Sequence, residues 1–282
     1  MVDIRQSIQY ANYLKLQGWT TERIGETNYF IKKLPIIGSV LKIQRPETTD
    51  FNTIDRLCRK YHVFQIIIEP QLTAGINSAL KHNVLITHGF RLSKSPFLPS
   101  KTLQSDLTQP QKEILGHVKK DARRAVRVGN TKTIKEYSTP SGIRKWREAW
   151  KNSVKFDRYV PSVQSLLNLR KSFPYNYSVF LASHNISGNI MGGALFTRTS
   201  HGVAYYWYGF TNSEGRTSLS QYSLLYYGIL WAKKNGNKIF DFEGIYDPRF
   251  PNKSWLGFTH FKRSFGGYEV EYPGCYSRFR LP

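Results

Sequence analysis

Phe240-Asp-Phe-Glu-Gly244 is followed by Gly257-Phe-Thr-His-Phe-Lys-Arg-Ser-Phe-Gly-Gly267 and then by Glu271-Tyr-Pro-Gly274. The apolar alternation and closing glycine of the first piece predict a strand over Lys238–Phe242 that opens into a loop. A short helix over Trp255–Ser264 then presents Phe261 and Lys262 before the Gly266-Gly267 break stops it. Upstream, Ser218–Lys234 reads as an apolar helix, and Tyr177–Ser183, Ile190–Arg198 and Val203–Gly209 read as strands of a meander. Helices are expected at Ile143–Ser153 and Ser162–Lys171. Further back, helical spacing marks Ser7–Gln17 (closed by Gly18), Asp50–Lys60 (capped by Thr49 or Asp50) and the long Gln109–Val128. Strands are expected at Thr27–Lys33, Ser39–Gln44 and Val63–Glu69. Ser138-Thr-Pro-Ser-Gly142 is the strongest boundary signal. The pattern therefore predicts an α+β chain of two similar halves, 1–140 and 141–270, with 271–282 returning to the first.

The 282 residues hold 41 Lys+Arg against 19 Asp+Glu, a formal net charge of +22, shared equally between the two halves. An even spread implies a folded body with a positive field rather than a detachable basic tail, and such a field concentrates anions. With 40% hydrophobic residues the chain can bury a core, which excludes a disordered reading. No apolar run reaches the ~20 residues that a membrane helix needs, and the first ten residues show no export leader. Two cysteines cannot build a disulfide framework, so a soluble protein of a reducing compartment is expected. The chain lacks G-x-S-x-G, G-x-x-x-x-G-K-[ST] and H-E-x-x-H, and its seven histidines show no metal-ligand spacing. Neither a classical hydrolase, a kinase nor a metalloenzyme is expected, and no metal.

The closing pieces quoted above resemble the end of the Fem-type (FemABX) aminoacyltransferases, which build peptidoglycan cross-bridges from aminoacyl-tRNA. The likeness extends upstream. Gln6-Ser7 with Tyr10, Lys15 and Gly18-Trp19 is similar to the family's opening pattern. Leu98-Pro-Ser-Lys-Thr102 with Asp106-Leu107 is similar to its central segment, and Tyr206-Trp-Tyr-Gly209 stands in the expected order before Phe240–Gly244. The resemblance implies two fused domains similar to GNAT N-acetyltransferases. No long charged heptad is present, so the coiled-coil arm of larger members is not expected. The acyl-CoA pyrophosphate loop is also missing before Ser218–Lys234, where Gly215-Arg-Thr-Ser-Leu stands instead.

What the resemblance implies about residues is specific. Lys262 would stabilise the oxyanion that forms when an amine attacks an aminoacyl ester, with Phe261 positioning it. Lys15 and Arg158 match positions that contact the precursor's diphosphate, although Phe156 and Ser162 depart from the family's usual neighbours of that arginine. Tyr206 and Tyr208 lie two apart on one strand and so share a face; the resemblance gives at least Tyr208 a substrate-facing hydroxyl, with core packing as the alternative. Asp106 is the acidic candidate for general base, or else a helix cap. Lys119, Lys120, Arg123, Arg124 and Arg127 line the polar face of Gln109–Val128, either as a grip on tRNA phosphates or as a solvated surface. The expected activity is transfer of an amino acid from aminoacyl-tRNA to the amine of a UDP- or lipid-linked muropeptide, with no cofactor and no obligate protein partner. A cytoplasmic place, at the inner face of the membrane if the acceptor is lipid-linked, would go with it. An N-acyltransferase fed by acyl-CoA or an acyl carrier, and a catalytically silent RNA-binding protein, remain alternatives.

Overall fold

A computed structural model describes residues 2–72, 78–129, 133–154 and 158–280. In chain order the first elements are α1 (Ile8–Leu16), β1 (Thr20–Ile24), β2 (Thr27–Leu34), β3 (Gly38–Gln44), α2 (Phe51–Tyr61) and β4 (Val63–Glu69). Then come α3 (Ser78–Thr87), β5 (Arg91–Leu92), β6 (Lys101–Asp106), α4 (Gln111–His117), α5 (Lys120–Val128) and β7 (Ile134–Glu136). Next are α6 (Pro140–Ser153), α7 (Val163–Ser172), β8 (Ser178–His184), β9 (Ile190–Arg198), β10 (Val203–Thr211), α8 (Ser213–Thr217) and α9 (Ser220–Lys234). β11 (Ile239–Gly244), α10 (Leu256–Arg263), β12 (Tyr268–Glu271) and β13 (Tyr276–Phe279) close the chain.

The chain divides into two compact units. One holds Met1–Thr102, Gly244–Leu256 and Val270–Pro282; the other holds Leu103–Glu243 and Gly257–Glu269. The boundary thus falls at Thr102/Leu103 and not near residue 140, and the segment after Glu269 belongs to the first unit. The reason lies in the packing of residues 103–129. α5 packs against α9, and the Lys233 ammonium on α9 donates to the carbonyls of Leu107 and Gln109 at 2.8 and 2.7 Å. A Ser/Pro/Gly-rich connector such as 138–142 marks a turn, here the start of α6, and need not mark a domain boundary.

In the first unit a sheet runs β1-β2-β3-β4-β13-β5. β3 and β4 are parallel and the remaining neighbours antiparallel. Its core takes alternate residues from each strand, Tyr29 and Ile31, Leu41 and Ile43, Ile66 and Ile68, against Ile54, Leu57 and Cys58 of α2. Ser7 and Asp50 cap α1 and α2 through Tyr10 N–H and Thr53 N–H. The opening Gln6-Ser7 is structural as well. The Gln6 amide bonds Gln44 C=O and accepts from Asn28 N–H, while the Asn28 amide donates to the carbonyls of Arg5 and Ser7.

The second sheet has the order β12-β6-β11-β10-β9-β8-β7, with β10 and β11 parallel and β7 through β10 antiparallel. α6 packs on one face, where Trp146 meets Phe180 and Phe210 edge-on and donates its indole N–H to Leu181 C=O at 2.8 Å. α9 packs on the other face and approaches Phe196 so closely that a Cβ on Gly228 would lie 2.2 Å from the ring. Gly228→Ala is therefore expected to destabilise by about 2 kcal/mol, since overpacking outweighs the helix-propensity gain of about 1 kcal/mol. At Gly116 in α4 nothing stands within 4 Å, so Gly116→Ala should raise stability. Thermal unfolding should therefore show Tm shifts of opposite sign for the two variants.

The expected single helix Gln109–Val128 is broken in two. Val118 and Lys119 are extended, with ψ of 131° and 150°. The Lys119 N–H leaves the helical ladder to donate to Ser264 C=O at 2.8 Å. Gly266, at φ +78°, packs so tightly on His117 that a Cβ there would fall 2.7 Å from the His117 carbonyl oxygen. Among the described residues α9 is the longest helix, and no pair of long helices forms a coiled-coil arm. None is long and apolar enough to cross a membrane.

Candidate active site

β10 and β11 pair in parallel over only three residues, ending at Tyr205↔Asp241, and both strands continue beyond that point unpaired with each other. A cluster of polar side chains stands where the two strands part. Tyr206 stands on β10 just past the last pair, Asp241 and Glu243 line β11, and α10 brings in Lys262.

Lys262 is buried, with its ammonium 5.8 Å from the centroid of the Tyr206 ring. Burial pushes its pKa down from 10.5 to about 8, while the carboxylates of Glu243 and then Asp241 oppose that shift. At neutral pH it is therefore a cation held in a place where water is scarce. Asp241 is itself buried and accepts from the Gln104 amide at 2.9 Å and from the Glu243 N–H at 2.7 Å. The hydroxyl of Tyr268 donates to Gln104 at 3.3 Å and extends the network. Glu243 has φ +60°, a left-handed conformation that non-glycine residues rarely hold outside constrained sites.

Tyr206 accepts a hydrogen bond from the Gln221 amide at 2.6 Å, which leaves its own proton to donate. Burial raises its pKa above the usual tyrosine range, so it stays neutral. Gly209 makes room for this pair, because a Cβ there would lie 1.9 Å from the Tyr206 hydroxyl. Phe261 stacks edge-on against Tyr222 at 4.9 Å and packs on Phe265, which fixes the helical turn that carries Lys262. Lys262, Phe261 and Tyr206 are thus brought together in the second unit.

Tyr208 is not part of this cluster. The register of β10 on β9 slips between Tyr206, opposite Phe196, and Tyr208, opposite Leu195. This bulge at Trp207 turns the two tyrosines to opposite faces, although two residues separate them. Tyr208 packs on Trp150 of α6, 5.1 Å between ring centroids. Asp106 is also used differently from a general base. Exposed at the end of β6, it accepts from the side chain and N–H of Thr108 at 2.7 and 2.8 Å, and these bonds hold its carboxyl below the usual range. A carboxylate so satisfied is a poor proton acceptor. Arg158 is exposed in the second unit, and its neighbour Phe156 lies outside the described residues. Lys15 is exposed in the last turn of α1, in the first unit. On the surface of the second unit, Lys119, Lys120, Arg124 and Arg127 are exposed and Arg123 half-buried, and none is in an ion pair among the described residues.

Three groups escaped the sequence reading. Asp241 and Glu243 lie inside the quoted Phe240–Gly244 piece, yet nothing in their spacing reveals that both act on Lys262. In the first unit, a cleft of about 370 Å³ lies between Lys94–Ser100 and Ile245–Trp255, with Phe97, Phe250 and Trp255 among its walls. The Lys42 ammonium sits 4.3 Å from the Phe97 ring centroid. At the cleft floor Asp247 is buried. Burial alone would raise its pKa, but bonds from Arg249 and the Ser100 hydroxyl more than offset this and keep it ionised. Among the described residues no three His, Cys, Asp or Glu side chains are placed to hold a metal ion.

No protein-family model and no curated protein matches the chain. Solved structures do match over nearly its whole length. FemX superposes with a TM-score of 0.80 at 17% identity, covering 99% of this chain and 92% of that one. The C-terminal domain of a putative lysylphosphatidylglycerol synthetase from Agrobacterium fabrum gives 0.59 at 12% identity, over 99% and 89%. A tandem GNAT protein from the clavulanic acid biosynthesis pathway gives 0.55 at 10% identity, over 92% and 82%. The α+β chain with its two sheets therefore has the Fem-type, tandem acetyltransferase-like fold.

Proposed function

We propose that this protein transfers an amino acid from aminoacyl-tRNA to a side-chain amine of a peptidoglycan precursor stem peptide. The observation that carries the reading is the buried Lys262 ammonium beside Tyr206, where β10 and β11 part. In this reading the acceptor amine attacks the ester carbonyl and its C=O π electrons move onto oxygen. The Lys262 cation and the Tyr206 hydroxyl meet that oxyanion in a site of low dielectric, where a fixed donor is worth far more than in water. Collapse forms the amide and expels the 3′-oxygen of the tRNA ribose, which takes up the proton the amine gives up. Asp241 and Glu243 keep Lys262 charged before the substrate arrives. No covalent enzyme intermediate is needed.

The likeness to FemX and to a lysylphosphatidylglycerol synthetase domain supports aminoacyl transfer on this fold, and the +22 charge suits two anionic substrates. The unpaired cations of α5 are suited to tRNA phosphates. The aromatic and basic cleft of the first unit is suited to a nucleotide- or lipid-diphosphate-linked acceptor. By the family resemblance, Lys15 and Arg158 remain candidate diphosphate contacts. The test is transfer of labelled amino acid from a charged total-tRNA pool to UDP-linked and lipid-linked muropeptides. Label in either muropeptide is expected. No transfer to either, with a positive control for tRNA charging, would instead favour an acyl-CoA donor on the same fold.

A further inference from the structure

The turn between β2 and β3 reads Lys33-Leu-Pro-Ile-Ile-Gly38. Leu34 pairs with Gly38, so Pro35, Ile36 and Ile37 form the tip. Ile36 is fully exposed and Ile37 is 60% exposed. Ile36 also has φ +74°, and the Ile37 N–H donates to Pro35 C=O at 2.9 Å. A bond from residue i+2 back to i around a positive φ is the strained form of the γ-turn, and a β-branched residue is poorly suited to its centre. Glycine or asparagine would make the turn more easily, and a polar side chain would keep the tip soluble. Fully exposed, the Ile36 side chain adds no packing among the described residues.

Cations surround the base of the tip. The Ser39 N–H donates to His62 C=O at 2.9 Å, and a Cβ on Gly38 would lie 2.5 Å from that oxygen. This contact seats the last turn of α2, with exposed Arg59 and Lys60, beside the base of the turn, while exposed Lys33 lies on the β2 side. Lys60 shares the carboxylate of Glu22 at 2.7 Å. Lys33 and Arg59 are in no ion pair among the described residues. Exposed apolar side chains ringed by Lys and Arg have the chemistry of peripheral contact with an anionic bilayer. A second copy of this chain would bring the same cations against them.

We propose that Ile36 and Ile37 insert at the headgroup–acyl boundary of an anionic bilayer, with Lys33, Arg59 and Lys60 on the lipid phosphates. The inference goes beyond the transfer reading and does not depend on it. It is tested by sedimentation with vesicles of one-third phosphatidylglycerol in phosphatidylcholine and with pure phosphatidylcholine vesicles, without donor or acceptor present. The wild type is expected to bind the anionic vesicles and to prefer them. Ile36→Ser/Ile37→Ser should bind at least about tenfold more weakly, and Arg59→Gln about fivefold more weakly. Ile36→Gly separates binding from folding, because it should relieve the backbone, raise Tm and still weaken binding. Full binding by Ile36→Ser/Ile37→Ser, or no wild-type binding, would overturn the proposal. So would dimers in lipid-free solution that only the tip variant dissociates, which would make the turn an interface between copies.

Discussion

Lys262→Met is expected to lower amino-acid transfer about 100-fold or more and, at the same time, to make the protein more stable. The first effect follows from removing the cation that meets the oxyanion, since loss of one preorganised donor commonly costs two to three orders of magnitude in rate. The second follows from burial. The folded protein holds the Lys262 proton with a pKa of about 8, whereas the ordinary value is 10.5. The unfolded chain therefore binds that proton more tightly, and below pH 8 the charged lysine opposes folding by about 3 kcal/mol. Methionine has no charge to desolvate and a similar length. The gain is smaller than the full penalty because Asp241 and Glu243 lose their counter-charge, so about 1–3 kcal/mol is expected at pH 7. It should shrink as pH rises from 8 through 10.5, above which the wild-type lysine has lost its proton in both states. Urea titration of the two proteins at pH 7 and pH 9.5, alongside transfer rates, measures both effects. A variant as active as the wild type would remove Lys262 from the chemistry, and a destabilised one would mean that its charge is a net support of the fold.

A break in the pH dependence of transfer near pH 8 is the second expected result. An acceptor amine with a pKa of about 10 becomes tenfold more available with each pH unit below that value. Below pH 8 Lys262 stays charged, so kcat/KM should climb with the amine. Above pH 8 the lysine loses its proton tenfold per unit and cancels the gain, so the profile should level off. Arginine keeps its charge throughout. Lys262→Arg, whatever its absolute rate, should go on climbing, and its rate relative to wild type should rise about fivefold between pH 8 and pH 9 and about tenfold over the next unit. A wild-type profile that climbs unbroken through pH 8 would show that the Lys262 proton is not needed.

Much of this molecule is legible in its sequence because local physics sets it. Apolar, β-branched or alternating runs mark β2, β3, β4, β8, β9 and β10, and Ser7, Asp50 and Ser162 cap the helices they precede. β6 was not legible as a strand. Its residues, Lys101-Thr-Leu-Gln-Ser-Asp106, are mostly polar yet buried, and their partners come from distant positions, such as Asp241 for Gln104. Apolar alternation cannot report a strand whose buried face is satisfied by hydrogen bonds. The candidate site was half legible. The family resemblance singled out Lys262 and Phe261, whereas nothing in the sequence singled out the carboxylates that tune the lysine.

The sequence by itself determined the apolar strands and capped helices of both units, with the even positive charge, because each depends on composition or on neighbours within a few residues. Only the tertiary structure decided the rest. A bulge at Trp207 separated Tyr206 from Tyr208, the Ser264 carbonyl drew the Lys119 N–H out of a helix its own sequence would have continued, and burial set the proton affinity of Lys262. Side-chain facing, helix breaks and pKa values depend on groups far away along the chain, and these meet only once the fold is made.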